Sequence, residues 1–159
     1  MMDLATWLEG SALSVWVRES SSVWAYPTIL TIHTLGLGVL VGANVVVNFR
    51  LLGWAPRLPV LSLTPLYRFM WFGLVLNVPT GLMLYAAVAT TKGMRPVFFI
   101  KLSLIALALI SAARIKTTVF RDPVLIDSGI VPLRGRRLAV LSLVLWAGAI
   151  TAGRLMAYL

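Results

Sequence analysis

Four stretches of this chain are each about long enough to cross a bilayer and are almost free of charge. Residues 27–49 and 69–91 contain no Asp, Glu, Lys or Arg, residues 96–113 contain only Lys101, and residues 138–159 contain only Arg154. A helix needs about 20 apolar residues to cross the hydrocarbon core. Inside lipid every backbone N–H and C=O must find its partner within the chain, so for a chain of 159 residues helix is the spanning state. The composition agrees: 60% hydrophobic, 12% charged, mean hydropathy +0.94. A soluble domain has about 45–50% apolar and 25% charged residues, so that class is excluded, and disorder with it.

The expected fold is therefore all-α: an integral membrane four-helix bundle in one domain, 1–159, with spans at about 27–49, 69–91, 96–117 and 138–159. Residues 1–24 precede it. They mix Leu4, Trp7, Leu8, Val15 and Trp16 with Glu9, Arg18 and Glu19, the pattern of an amphipathic helix lying in the interface. With acids at the start and no basic n-region, this segment does not read as a cleavable signal. Trp24 and Tyr26 stand where an aromatic belt belongs, and Pro27 suits the first turn of the first span.

The net charge of +9 is a topology signal rather than a sign of nucleic acid, which no motif here would recognise. Segments 50–68 and 114–137 hold Arg50, Arg57, Arg68, Arg114, Lys116, Arg121, Arg134, Arg136 and Arg137, nine of the fourteen basic residues. The other side has Arg18, Lys92 and Arg95. The positive-inside rule puts the first group in the cytoplasm and both termini outside it.

Chemistry must come from the few polar groups inside the spans. There are no cysteines and one histidine, which excludes thiolate centres and His-cluster zinc sites. Counted from the outer end at 1.5 Å per residue, His33 is about 9 Å deep and Lys101 and Arg154 about 7–8 Å. Tyr85 falls near the same depth. Ionisable residues in a membrane are costly and usually face the bundle interior, so these residues form a candidate site; simple snorkelling is the plain alternative for Lys101 and Arg154. For Lys101 the expected partner is a ligand carboxylate, or else Glu9 or Glu19. Asn44 and Asn48 lie on the His33 side of the first span, and Gly38 and Gly42 form a GxxxG step expected to allow close helix contact. Gly73, Asn77, Thr80 and Gly81 share a face of the second span and are expected to shape a cavity, with a kink at Pro79.

Trp7-Leu8-Glu9, Arg18-Glu19-Ser20, Tyr26-Pro27, Ile32-His33, Arg50-Leu51-Leu52-Gly53, Thr80-Gly81-Leu82-Met83-Leu84, Phe99-x-Lys101-Leu102 and Gly153-Arg154-Leu155-Met156-Ala157-Tyr158 follow one another along the chain. In these motifs the chain resembles a family of small bacterial inner-membrane proteins classed as a domain of unknown function. More distantly, the first-span His and the third-span Phe-x-x-Lys-Leu are similar to the HemJ-type protoporphyrinogen oxidases, four-helix proteins associated with b haem, and the layout to CopD-like membrane proteins. The likeness implies functional roles for His33 and Lys101, and an oxidoreductase of that type if there is catalysis; the oxidases' second His has no counterpart here. The expected ligand is an anionic, redox-active one, with b haem the concrete candidate. His33 would be its iron ligand, Lys101 and Arg154 the partners of its propionates, Met83 or Met156 or a second subunit the source of a sixth ligand, and Tyr85 a neighbour. The alternative is a non-catalytic subunit in the bilayer that docks a periplasmic protein; a transporter or channel component, formed as a homo-oligomer, is third.

The topology is directly testable. Reporter fusions after Gly53 or Gly129 should read cytoplasm, and fusions after Gly93 or Leu159 the opposite side. A cytoplasmic C-terminus would separate Arg154 from His33 by the thickness of the membrane.

Overall fold

A computed structural model describes residues 2–91 and 95–158. Lys92 and Gly93, and Met1 and Leu159 at the limits of the expected first and last segments, lie outside the described residues. The described chain is helical throughout, without strands: α1 (Met2–Glu9), α2 (Ala12–Glu19), α3 (Tyr26–Leu51), α4 (Leu66–Ala86), α5 (Pro96–Arg114), α6 (Pro123–Ser128) and α7 (Leu133–Tyr158). Four of these, α3, α4, α5 and α7, are long and apolar enough to cross a membrane, and they form the bundle. Its terminal end carries α1 and α2 and the last turn of α7. Its loop end carries residues 52–65 and 115–132.

The expected single interfacial helix is two. Gly10 is a poor helix former, and Ser11 caps a new helix by accepting the Ser14 N–H at 3.3 Å while its own hydroxyl donates to the Leu8 carbonyl at 2.7 Å. The resulting hairpin is pinned to the end of α4. Thr90 donates its N–H at 2.8 Å and its hydroxyl at 2.5 Å to the Glu9 carboxylate, and Arg18 reaches the Ala87 carbonyl at 3.4 Å. Those two bonds from Thr90 hold the Glu9 carboxyl below its ordinary pKa, with Arg18 adding to the effect. They also account for where the second span stops. Residues 87–91 turn toward the hairpin, so the helix ends at Ala86 instead of running to the expected Thr91. Beneath the hairpin Val17, Ile29 and Ala87 form a small apolar cluster joined by Met83 and Leu84.

At the loop end α3 stops at Leu51, followed by Gly53 with φ +102°, a backbone that favours glycine. Arg50, although buried, has partners: its guanidinium donates to the carbonyls of Leu58 and Pro56 and ties the loop to the helix. A 3-10 turn, Val60–Leu63, tucks Val60 and Leu63 under the core. The third span continues past Arg114 as a π-helical turn, Ile115–Val119. The fourth starts at Leu133, five residues before the apolar run, because its basic first turn can stay helical while the long side chains reach out to water.

Packing is sequential, not square. α4 packs on α3, α3 on α7 and α7 on α5, and α4 and α5 hardly touch along their length. The tightest crossing is α3 on α4. A Cβ on Gly73 would stand 2.7 Å from the Gly36 carbonyl oxygen and 2.8 Å from the Leu40 nitrogen, and one on Gly36 would stand 3.1 Å from the Gly73 oxygen. The expected GxxxG contact is thus a correction. Nothing lies within 4 Å of a Cβ on Gly38 or Gly42, since Gly38 is about 200° around the helix from Gly36. The packed face of α3 is Ile29, Gly36, Leu40, Asn44 and Val47. α4 runs through Pro79 as one helix, with that residue exposed.

Gly73→Ala should therefore destabilise the bundle by about 1–3 kcal/mol, the scale of overpacking against backbone that has no room to move. Gly38→Ala should be neutral or stabilising by about 0.5–1 kcal/mol, the helix-propensity difference. Denaturant unfolding in mixed micelles compares the two directly.

Candidate functional site

His33 lies half-buried on α3, facing α4 at the terminal end. Its Nδ1 is 3.2 Å from the Asn77 carbonyl oxygen and 3.0 Å from Thr80 Oγ1. A carbonyl can only accept. Thr80 has one hydroxyl proton, and it goes to the Leu76 carbonyl at 2.6 Å, so toward His33 it offers a lone pair. Both neighbours are acceptors, which makes Nδ1 the protonated nitrogen and leaves the lone pair on Nε2. Asn77 closes the clamp by donating its Nδ2 to the His33 carbonyl at 2.8 Å. Gly81 makes room for the ring, since a Cβ there would meet His33 Cε1 at 3.0 Å.

Lys101 arrives from α5. It is half-buried, with its stem along Gly153 of α7: Cε, Cδ and Nζ lie 3.6–3.8 Å from where a Gly153 Cβ would be. It is within electrostatic reach of His33. The expected pairing with Glu9 or Glu19 is a correction. Among the described residues the only ion pairs are those of Arg18, at 3.5 Å from Glu9 and 2.8 Å from Glu19, so Glu9 and Glu19 are both turned to Arg18. The physical reason is proximity along the chain: Arg18 shares α2 with Glu19 and sits across the hairpin turn from Glu9.

The other expected site residues are placed differently from His33 and Lys101. Arg154 is exposed, one residue and so about 100° around α7 from the Lys101 contact at Gly153. Tyr85 stacks on Phe98 with centroids 4.7 Å apart and rings 20° from parallel, closing the terminal end of α4 against the start of α5. Met83 packs against the apolar cluster under α2. Met156 is half-buried near the end of α7. Asn44 and Asn48 do share the inward face of α3, but they lie eleven residues or more toward the loop end from His33, about 16 Å away. There Asn48 Nδ2 (2.5 Å) and Ser142 Oγ (3.0 Å) both donate to Asn44 Oδ1, which locks α3 to α7.

Asn77 and Thr80 are the residues whose role sequence reading undervalued. Their shared face with Gly73 and Gly81 was visible, but nothing in the sequence said that this face meets His33. Among the described residues no three His, Cys, Asp or Glu side chains come together to hold a bare metal ion. What the arrangement offers is one imidazole oriented through its Nδ1–H and one ammonium with no carboxylate partner among the described residues. Comparison with family models, curated proteins and solved structures finds no match to this chain.

The clamp and the free cation should respond oppositely to substitution. Thr80→Val removes an acceptor from Nδ1–H and should cost about 1 kcal/mol. Lys101→Met should leave the ligand-free protein unfolding at the same or a higher temperature, since it removes an unpaired charge from apolar surroundings. Thermal unfolding of both variants in detergent is the check.

Proposed function

We propose that this is a multi-pass protein of the bacterial inner membrane that binds an anionic, planar, redox-active ligand at its terminal end, with b haem the concrete candidate. The observation that carries the reading is the His33 clamp. A ligating histidine in a metal or haem site characteristically donates its other N–H to a carbonyl or similar acceptor, which fixes the tautomer and strengthens the ligating nitrogen. His33 has that arrangement before any ligand arrives.

The rest of the donor set fits. Haem needs an axial donor and cations for its propionates. Lys101 is a half-buried ammonium with no carboxylate partner among the described residues, and Arg154, exposed at the next position on α7 after Gly153, is a second cation at the same end. Bound haem would supply one-electron chemistry; the protein's part is to orient His33, to hold the carboxylates and to keep the site at the membrane surface. The distant likeness to HemJ-type proteins points the same way. The nine basic residues at the loop end favour a cytoplasmic loop end and a periplasmic site.

Protein purified from haem-replete cells should show a Soret band and a reduced-minus-oxidised difference spectrum. With one histidine per chain, the iron should be high-spin unless Met83, Met156 or a second copy supplies a sixth ligand. His33→Ala should abolish the band, and Lys101→Met should lower haem retention by about tenfold or more, as for loss of a charge-assisted hydrogen bond. No band, or a band indifferent to His33→Ala, would refute the ligation.

A further inference from the structure

A second site lies at the opposite end of the bundle. Where α4 and α5 stand apart, a cavity of about 180 Å³ opens between them, with Leu40 of α3 as its floor. Tyr67 and Met70 of α4 form one wall, and Leu109, Ala113 and Lys116 of α5 and its π turn form the other. Trp71 and Thr117 also line it, the Thr117 hydroxyl already donating to the Ala113 carbonyl at 3.0 Å; apart from these, Lys116 and the Tyr67 phenol, the lining is hydrocarbon or thioether.

The Tyr67 phenol is unfulfilled, and Lys116 is an exposed ammonium beside it. Tyr67 is 3% exposed, and its hydroxyl has no hydrogen-bond partner. A buried hydroxyl left without a partner is destabilising, and structures retain few of them. The ring itself is well held, edge-on to Phe120 with centroids 5.4 Å apart, so the phenol is fixed in position rather than loosely packed. Lys116 places its Nζ 5.5 Å from the centre of the same ring, and no described carboxylate pairs with it. The π turn that carries it, Ile115–Val119, is a rare backbone that recurs at functional sites. Arg68, next to Tyr67 on α4, and Arg114 on α5 add positive charge at this end.

A buried O–H donor and an ammonium at the mouth of an apolar, laterally open crevice match one kind of molecule. We propose that this cleft binds an anionic phospholipid of the adjoining leaflet, whose phosphate takes the Tyr67 hydroxyl proton as a hydrogen bond and sits against Lys116, while an acyl chain fills the crevice past Met70 and Leu109. Such a lipid would supply what the helices lack here: it satisfies the orphan donor and bridges α4 to α5. The site is independent of the His33 reading, shares no residue with it, and stands or falls separately.

The experiment uses the full chain in dodecylmaltoside micelles, with phosphatidylglycerol, phosphatidylcholine or inorganic phosphate as the probe. Native mass spectrometry counts retained lipid, and thermal unfolding reports stabilisation. Wild type should retain one phosphatidylglycerol and gain melting temperature from it, and should respond weakly to phosphatidylcholine and not at all to inorganic phosphate. Tyr67→Phe and Lys116→Gln should each weaken retention about tenfold or more, the scale of a hydrogen bond to a charged group. In lipid-free detergent Tyr67→Phe should be at least as stable as wild type, because it keeps the contact with Phe120 and removes the orphan hydroxyl. That sign distinguishes a binding phenol from a structural one. Equal retention of phosphatidylcholine, stabilisation by inorganic phosphate alone, preferential retention of a neutral quinone, or wild-type retention by both variants would each overturn the proposal. If Tyr67→Phe folds poorly, the lipid comparison in wild type and the Lys116→Gln variant decide it.

Discussion

The contact on which the rest depends is the meeting of two backbones at Gly36 and Gly73. With no hydrophobic force to drive helices together in lipid, close van der Waals packing and hydrogen bonding must do so, and small residues at the crossing permit both. The absence of two side chains draws α3 and α4 close enough for Asn77 and Thr80 to reach across to His33. Were that crossing a few ångströms wider, the imidazole would lose the acceptors that set its tautomer. The glycine pair is thus a structural feature with a chemical consequence one to two turns away.

Each packed helix pair carries one polar tie of this kind. His33, Asn77 and Thr80 join α3 to α4; Asn44 and Ser142 join α3 to α7; the Ser111 hydroxyl, donating to the Leu138 carbonyl at 3.3 Å, joins α5 to α7. Such bonds are individually modest in membranes, about 0.6 kcal/mol on average. Their larger effect is on register, because a helix that slides or rotates leaves a polar group stranded in hydrocarbon. Among the described residues no such tie joins α4 to α5, where Tyr85 stacks on Phe98 at one end and Tyr67 lies beside Phe120 and Lys116 at the other. Of the two lysines on α5 and its π turn, Lys101 lies along Gly153 of α7 and Lys116 beside Tyr67 of α4, fifteen residues and about 22 Å apart, and among the described residues neither has a carboxylate partner.

The N-terminal hairpin shows how a soluble-looking contact edits a membrane helix. The run through residue 91 is apolar enough to have remained helical, yet Glu9 and Arg18 take Thr90 and the Ala87 carbonyl. Those bonds offer the last turn an alternative to its own i→i−4 ladder. They also engage Glu9 and Glu19 through Arg18 and Thr90, and among the described residues Lys101 has no carboxylate partner.

How far the site could be read in advance follows from helix geometry. A residue's depth is a count of residues from the end of an apolar run, multiplied by a fixed rise. That is why the class of fold and the four spans were legible in the sequence. Azimuth is different. Which side of a helix meets a neighbour depends on which neighbour comes close, and in lipid the apolar pattern says little because both the core and the surroundings are apolar. Gly38 and Gly42 have the spacing of a contact motif and face away; Gly36 and Gly73 lack a partner glycine at that spacing and make the contact. Arg154 shares the depth of Lys101 but points elsewhere, while Thr80, an ordinary residue in the sequence, holds the histidine. The sequence by itself determined how deep each group lies, and only the tertiary structure decided what each one faces, because depth is a local property of one helix and facing is a property of a pair.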